Sequence, residues 1–195
     1  IRAQPPFLSK LIDGHVEIDI HAVGLNFRDV LNVLGQYPGD PGPPGGDCAG
    51  YIAKSDTQFE IGSGVFGLGH APLASVARSD ARFMGPQPRA IHFEAACTLP
   101  TVRSTVHKAY SVHGFLVKMH RTLLHAAAGG VGLVGMEYGS WLSTRIFGSA
   151  GSPLKHNALW ARKVSGRASS RDSASFAHGM FTLLGPALRL NRIIN

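Results

Sequence analysis

Leu123-Leu124-His125-Ala126-Ala127-Ala128-Gly129-Gly130-Val131-Gly132 is the stretch on which the reading of the chain turns. A short apolar run at 122–124 meets a turn made only of Ala and Gly, and a segment with helical spacing follows over 131–142. Strand, small-residue turn and helix, in that order, open a dinucleotide-binding βαβ unit. Small residues let the backbone approach a pyrophosphate, and the helix N-terminus offers free N–H groups and the positive end of its dipole. In the G-x-G-x-x-G fingerprint Ala127 takes the first place, Gly129 and Gly132 keep the other two, and Gly130 and Val131 lie between them. An Ala/Gly turn also serves wherever a helix packs tightly on a sheet, so the surrounding residues have to decide.

Downstream, Thr144 to Ala150 reads as a second strand, and Ser152 caps a helix beginning at Pro153. An NAD site carries an Asp or Glu at the end of the second strand, ~20 residues after the turn, to hold the ribose hydroxyls. Ser149 stands there, and no acidic residue lies between Glu137 and Asp172. Lys155 falls in the first turn of the next helix, and Ser170 and Arg171 mark the next strand end. Hydroxyls, an ammonium and a guanidinium suit a 2′-phosphate, so the expected cofactor is NADPH.

Upstream, residues 15–24 alternate apolar and polar, the pattern of a half-buried strand. Asn26 to Leu34 has helical spacing with Asn26 or Asp29 as cap. A Pro/Gly loop, 37–46, follows; it must run over the surface or line a cleft. Short strands at 47–53 and 64–68 suggest a small barrel or sandwich. Helices are expected at 94–99 and 101–112, split by Pro100. The expected organisation is a β-rich unit over 1–92 and the first part of a Rossmann doubly wound unit over 93–195. Two or three of its parallel strands fit before Asn195, so the domain reads as truncated.

Composition narrows the function classes. The chain has 195 residues, 44% hydrophobic and 16% charged, which fits a packed protein and excludes a disordered one. No apolar run reaches the ~20 residues that span a bilayer. The N-terminus reads as a cut from a longer chain, with neither signal peptide nor initiator Met. Cys48 and Cys97 are too few for a disulfide framework, so a reducing compartment, the cytoplasm or an organelle, is expected. The net charge of +7 is uneven, with −3 over residues 1–100 and +10 over 101–195. The basic residues are scattered without interleaved aromatics, which favours a phosphorylated cofactor over nucleic acid.

Gly24-Leu25-Asn26-Phe27-Arg28-Asp29-Val30-Leu31, Gly35-Gln36-Tyr37-Pro38-Gly39, Gly46-Asp47-Cys48-Ala49-Gly50 and Val65-Phe66-Gly67-Leu68 carry a family resemblance. So do Phe93-Glu94-Ala95-Ala96, Leu99-Pro100, His125 to Gly132, Gly151-Ser152-Pro153-Leu154-Lys155 and Ser169-Ser170-Arg171-Asp172. In this order they resemble the medium-chain dehydrogenase/reductase superfamily, and within it the enoyl reductase domain of polyketide synthases. The resemblance implies a GroES-like substrate domain followed by a Rossmann domain. It implies reduction of an α,β-unsaturated acyl thioester on an acyl carrier protein, beside neighbouring synthase domains and without nucleic acid or membrane. A free-standing quinone or enone oxidoreductase, or a catalytically silent domain of the same fold, remains open.

The chain departs from the family in three places. Gly62-Ser63-Gly64-Val65 replaces Gly-Asp-Arg-Val, Arg103 stands where a bulky apolar residue is common, and Val117 to Arg121 replaces a Pro-Gly turn.

The resemblance also frames the chemistry. Zinc members carry a Cys at one site and Gly-His-Glu at another; here those places read Asn26 to Asp29 and Gly45-Gly46-Asp47, so no metal is expected. Tyr37 is the candidate proton donor at the α-carbon, because family members with Tyr here link it to the outcome there. Asp172 is a second acid/base candidate, with a loop cap or surface ion pair as its other reading. Asn26 and Arg28 shape the pocket or hold the loop. Lys155 is implied as a phosphate contact.

Overall fold

Residues 10–162, 164–185 and 189–195 are described by the computed structural model. The chain divides into two units after Thr101, and each is described by itself.

In the first unit the alternation at Val16, Ile18 and Ile20 builds β1 (His15–Gly24). Val16 and Ile18 are buried in a core with Cys48, Ile52, Val65, Ala81 and Met84. The partners of β1 are β2 (Asp47–Ser55), β3 (Gly64–Leu68), β4 (Val76–Asp80) and β5 (Met84–Pro86), in an antiparallel sheet of order β4-β1-β2-β3-β5. Neither β4 nor β5 is legible in the sequence. Val76-Ala77-Arg78-Ser79-Asp80 is too polar to read as a strand, and β1 recruits it in a register running from His15↔Asp80 to Asp19↔Val76. The helix expected at 26–34 forms as α1 (Phe27–Val33). The one expected at 94–99 is shorter, α2 (Phe93–Ala96).

The division lies beyond the 92/93 boundary expected from sequence, for a packing reason. Phe93, Ala96 and Cys97 bury against Ala22, Ala49 and Phe66 of the antiparallel sheet. Thr101 also donates from its N–H and its hydroxyl to the Asp47 carboxylate, at 3.1 and 2.6 Å.

The second unit takes up within α3 (Pro100–His107), continued by a π-helical turn over Lys108–His113. It then runs β6 (Arg121–Leu124), α4 (Gly130–Trp141), β7 (Arg145–Ala150), α5 (Pro153–Ala161), β8 (Gly166–Ser169), α6 (Ser173–Leu184) and β9 (Arg192–Ile194). All strand pairs are parallel, in the order β8-β7-β6-β9. Among the described residues the sheet therefore holds four strands, where two or three were expected. The fourth, Arg192-Ile193-Ile194, is too short to show a period.

Neighbouring residues along a strand bury on opposite faces. Leu124, Ile146 and Ala150 pack with Met136 and Leu159 of α4 and α5, whereas Leu123, Phe147 and Ala168 pack with Phe176, Met180 and Leu183 of α6. Helices on both faces of a parallel sheet give this unit a doubly wound, Rossmann-type architecture. Among the described residues no helix is long and apolar enough to cross a membrane.

Candidate cofactor and substrate sites

The strand order turns back between β6 and β9, the kind of reversal that opens a crevice at the carboxyl ends of a doubly wound sheet. The Ala/Gly turn leaves the carboxyl end of β6 at this point. Its one left-handed residue is Ala126, at φ 47°, and not a glycine. The glycines serve by size. A Cβ on Gly132 would come within 2.5 Å of Ala126 and Ala127 backbone atoms, so only Gly lets α4 start so close beneath the turn. Ala127 is wholly buried; its N–H donates to the Ser149 carbonyl at 3.0 Å, and its methyl fills the space above Gly148. Gly129, Gly130 and Val131 face outward.

No side chain caps α4, whose N-cap is Gly129. By contrast Ser152 caps α5 and Asp172 caps α6. The first-turn N–H groups of α4 are thus left for an outside acceptor, beside a turn too small to obstruct one.

At the carboxyl ends of β7 and β8, which lie side by side with Ala150 opposite Ser169, the other cofactor candidates gather. Lys155 is exposed in the first turn of α5 and joins no ion pair among the described residues. Ser170 is exposed just past β8, its N–H on the Ala150 carbonyl at 2.9 Å. The Arg171 side chain lies across the end of β7, since a Cβ on Gly151 would meet its Nε at 2.6 Å.

Two further candidates turn toward the protein. Ser149 is wholly buried, and its hydroxyl pairs with His125 Nδ1 at 2.9 Å, so it ties β7 to β6 instead of facing a phosphate. Strand alternation points its side chain inward, which position in the sequence did not reveal. Asp172 accepts from the Ser175 N–H as the cap of α6. Those hydrogen bonds hold its carboxyl below the ordinary range, the wrong direction for a proton donor. The loop-cap reading is the one the geometry takes. Asp172, the acid next to Arg171, is turned to its own helix. Uncapped N–H groups and two cations fit a phosphorylated dinucleotide.

The substrate-side candidates belong to the first unit. Tyr37 is half-buried on the loop after α1 and makes no hydrogen bond to another described residue. Asn26 donates from its side chain to Asp47 at 3.0 Å. Arg28 donates to the carbonyls of Pro41 and Pro43 at 2.7 and 3.0 Å, so it holds the loop.

Sequence reasoning missed two residues that do the same work. The buried Asp29 accepts from the Gly45 and Asn26 N–H groups, both at 2.8 Å, and Asn32 donates to the Gly42 carbonyl at 3.0 Å. Asp29 had shown itself only as a possible cap, and Asn32 gave no signal.

Cys48 is buried, and burial, helped by the neighbouring Asp47 charge, pushes its thiol up to about 12. It is an inert packing group. Among the described residues no three His, Cys, Asp or Glu side chains cluster as metal ligands would.

No protein-family profile matches the chain. A highly reducing polyketide synthase of Didymella fabae is 37% identical over 152 residues, 76% of this chain and 8% of that protein. Reducing polyketide synthase FUB1 of Gibberella moniliformis is 32% identical over 92% of this chain and 8% of that protein. The chain thus spans under a tenth of these relatives' length. Among solved structures, CurK enoyl reductase superposes with a TM-score of 0.82 at 30% identity, over 92% of this chain and 58% of that one. Quinone oxidoreductases share the fold at 22 and 24% identity. Two units of this architecture, the motif order and these relatives place the chain in the medium-chain dehydrogenase/reductase superfamily, among the enoyl reductase domains of polyketide synthases.

Proposed function

We propose that the chain reduces the carbon–carbon double bond of an α,β-unsaturated acyl thioester with NADPH and without zinc, its acyl chain delivered on a carrier protein by neighbouring synthase domains. One observation carries the cofactor reading: the uncapped N-terminus of α4 lies at the strand-order reversal, and the neighbouring strand ends are followed by Lys155 and Arg171, with Asp172 engaged as the cap of α6. When bound, the reduced nicotinamide supplies a hydride to the β-carbon, leaving an enolate that takes a proton at the α-carbon.

The chain's own groups do the rest. The α4 N–H groups and the small-residue turn receive the pyrophosphate, and Lys155, Arg171 and Ser170 receive the 2′-phosphate. Tyr37 offers its phenolic proton to the α-carbon. The donor set supports the zinc-free reading. Asn26 and Gly46 stand where a zinc enzyme keeps its Cys and His, and the carboxylates beside them, Asp29 and Asp47, already accept from Gly45, Asn26 and Thr101.

The test is steady-state oxidation of NADPH by the full-length protein with crotonyl thioester and with a small quinone. The proposal expects turnover on the thioester. Turnover on the quinone alone makes it a quinone reductase, and turnover on neither makes it a silent domain.

A further inference from the structure

The loop bearing Tyr37 is held by side chains of one short helix. At its start the Gln36 N–H donates to the Leu31 carbonyl at 2.8 Å, which fixes where the chain leaves α1. At its far end the Arg28 guanidinium bridges the Pro41 and Pro43 carbonyls, Asn32 holds Gly42, and the buried Asp29 carboxylate holds the Gly45 N–H. Gly45 reaches that carboxylate from a left-handed φ of 89°, with Pro72 3.1 Å from where a Cβ would stand, so the contact requires Gly. Within the loop the Asp40 carboxylate takes the Gly42 N–H at 2.8 Å. Only residues 37–40 lie between the two fastened ends, and Pro38 limits even these.

The polar side chains Arg28, Asp29 and Asn32 of α1 are spent on backbone groups of the loop and of the helix's own N-cap. Asp29 has both oxygens occupied by N–H donors, and Arg28 and Asn32 meet carbonyls. None of the three is arranged to exchange a proton with a ligand. Their effect is to shorten the free arc that carries the Tyr37 phenol.

We infer that Arg28, Asp29 and Asn32 are positioning residues that act as one clamp, fixing the phenol of Tyr37 for protonation of the α-carbon. The inference rests on the reading of Tyr37 as proton donor. The clamp matters because a donor displaced by about 1 Å loses up to roughly a hundredfold in rate, whereas the cofactor groups are on other elements and are untouched by it.

The test is a mutant cycle in the full-length protein between Asn32→Ala and Tyr37→Phe, with an α-methyl enoyl thioester as substrate. Three quantities are read: kcat, the configuration at the α-carbon, and the Kd for NADPH from nucleotide fluorescence. Asn32→Ala is expected to lower kcat about tenfold and to scramble the α-carbon, with an unchanged Kd. In the Tyr37→Phe background the same substitution is expected to change nothing further. Arg28→Met, which keeps the length of the side chain but has no N–H to give the Pro41 and Pro43 carbonyls, repeats the test should Asn32→Ala fail to fold. Additive losses, or an Asn32→Ala protein with wild-type kcat and product, overturn the clamp while leaving Tyr37 in its role. A Tyr37→Phe protein with wild-type kcat and product overturns the proton-donor reading, and the clamp with it.

Discussion

At the scale of single residues, the cofactor reading comes down to charge at two strand ends. Lys155 is exposed and unpaired among the described residues, and Arg171 lies across Gly151. Lys155→Glu replaces a charge-assisted contact with repulsion. It is expected to weaken NADPH by roughly 2–4 kcal/mol and NADH hardly at all, measured as the two dissociation constants. Equal loss for both nucleotides places the 2′-phosphate elsewhere. Ser149 marks the limit of this reasoning: it occupies the place in the sequence where an NAD enzyme keeps its acid, yet its hydroxyl is buried on His125.

At the scale of elements, two stabilities are testable. Glu17 in β1 is buried and joins three strands, pairing with Lys54 of β2 at 2.6 Å and Arg78 of β4 at 3.0 Å. Burial raises its pKa, but the hydrogen bonds and charges of Lys54 and Arg78 outweigh that and leave it below the ordinary value of 4.5. A carboxyl whose folded pKa is lowered stabilises fully above the unfolded pKa, and the gain disappears as pH falls through the folded one. Glu17→Gln is therefore expected to cost about 1–3 kcal/mol at pH 7. The gap from wild type should close in denaturant titrations as pH falls below 4.5.

The second concerns the turn before β6, where Met119 sits at φ 68° and is largely exposed. The family keeps a Pro-Gly turn in this place. A left-handed side chain costs about 1–2 kcal/mol, partly offset by the entropy of a Gly. Met119→Gly should raise the unfolding free energy by about 0.5–1 kcal/mol. A fall in stability shows that the Met side chain packs there.

At the scale of the whole molecule, the proposal is a reductase that needs a nucleotide and no metal. Turnover of the full-length protein is expected to survive prolonged incubation with a strong chelator, and elemental analysis to find no stoichiometric zinc. Chelator-sensitive turnover contradicts the donor set at Asn26–Asp29 and Gly45–Asp47. The relatives set the scale of the rest, because the chain spans 8% of the synthases it resembles.

The sequence by itself determined the features whose cause is local. The small-residue turn at 126–132, the alternation along β1, the Pro/Gly loop and the Ser152-Pro153 helix start each follow from backbone sterics or side-chain period within one segment. Tertiary structure decided what depends on a partner. Strands β4, β5 and β9 exist because a neighbouring strand offers them a register, and their few residues carry no period of their own. Ser149 became a tie between strands because the strand pleat aims side chains in directions that chain position does not encode. The grip of α1 on the loop is of the same kind. Arg28, Asp29 and Asn32 acquire their partners only when the chain between 37 and 45 folds back over the helix that precedes it.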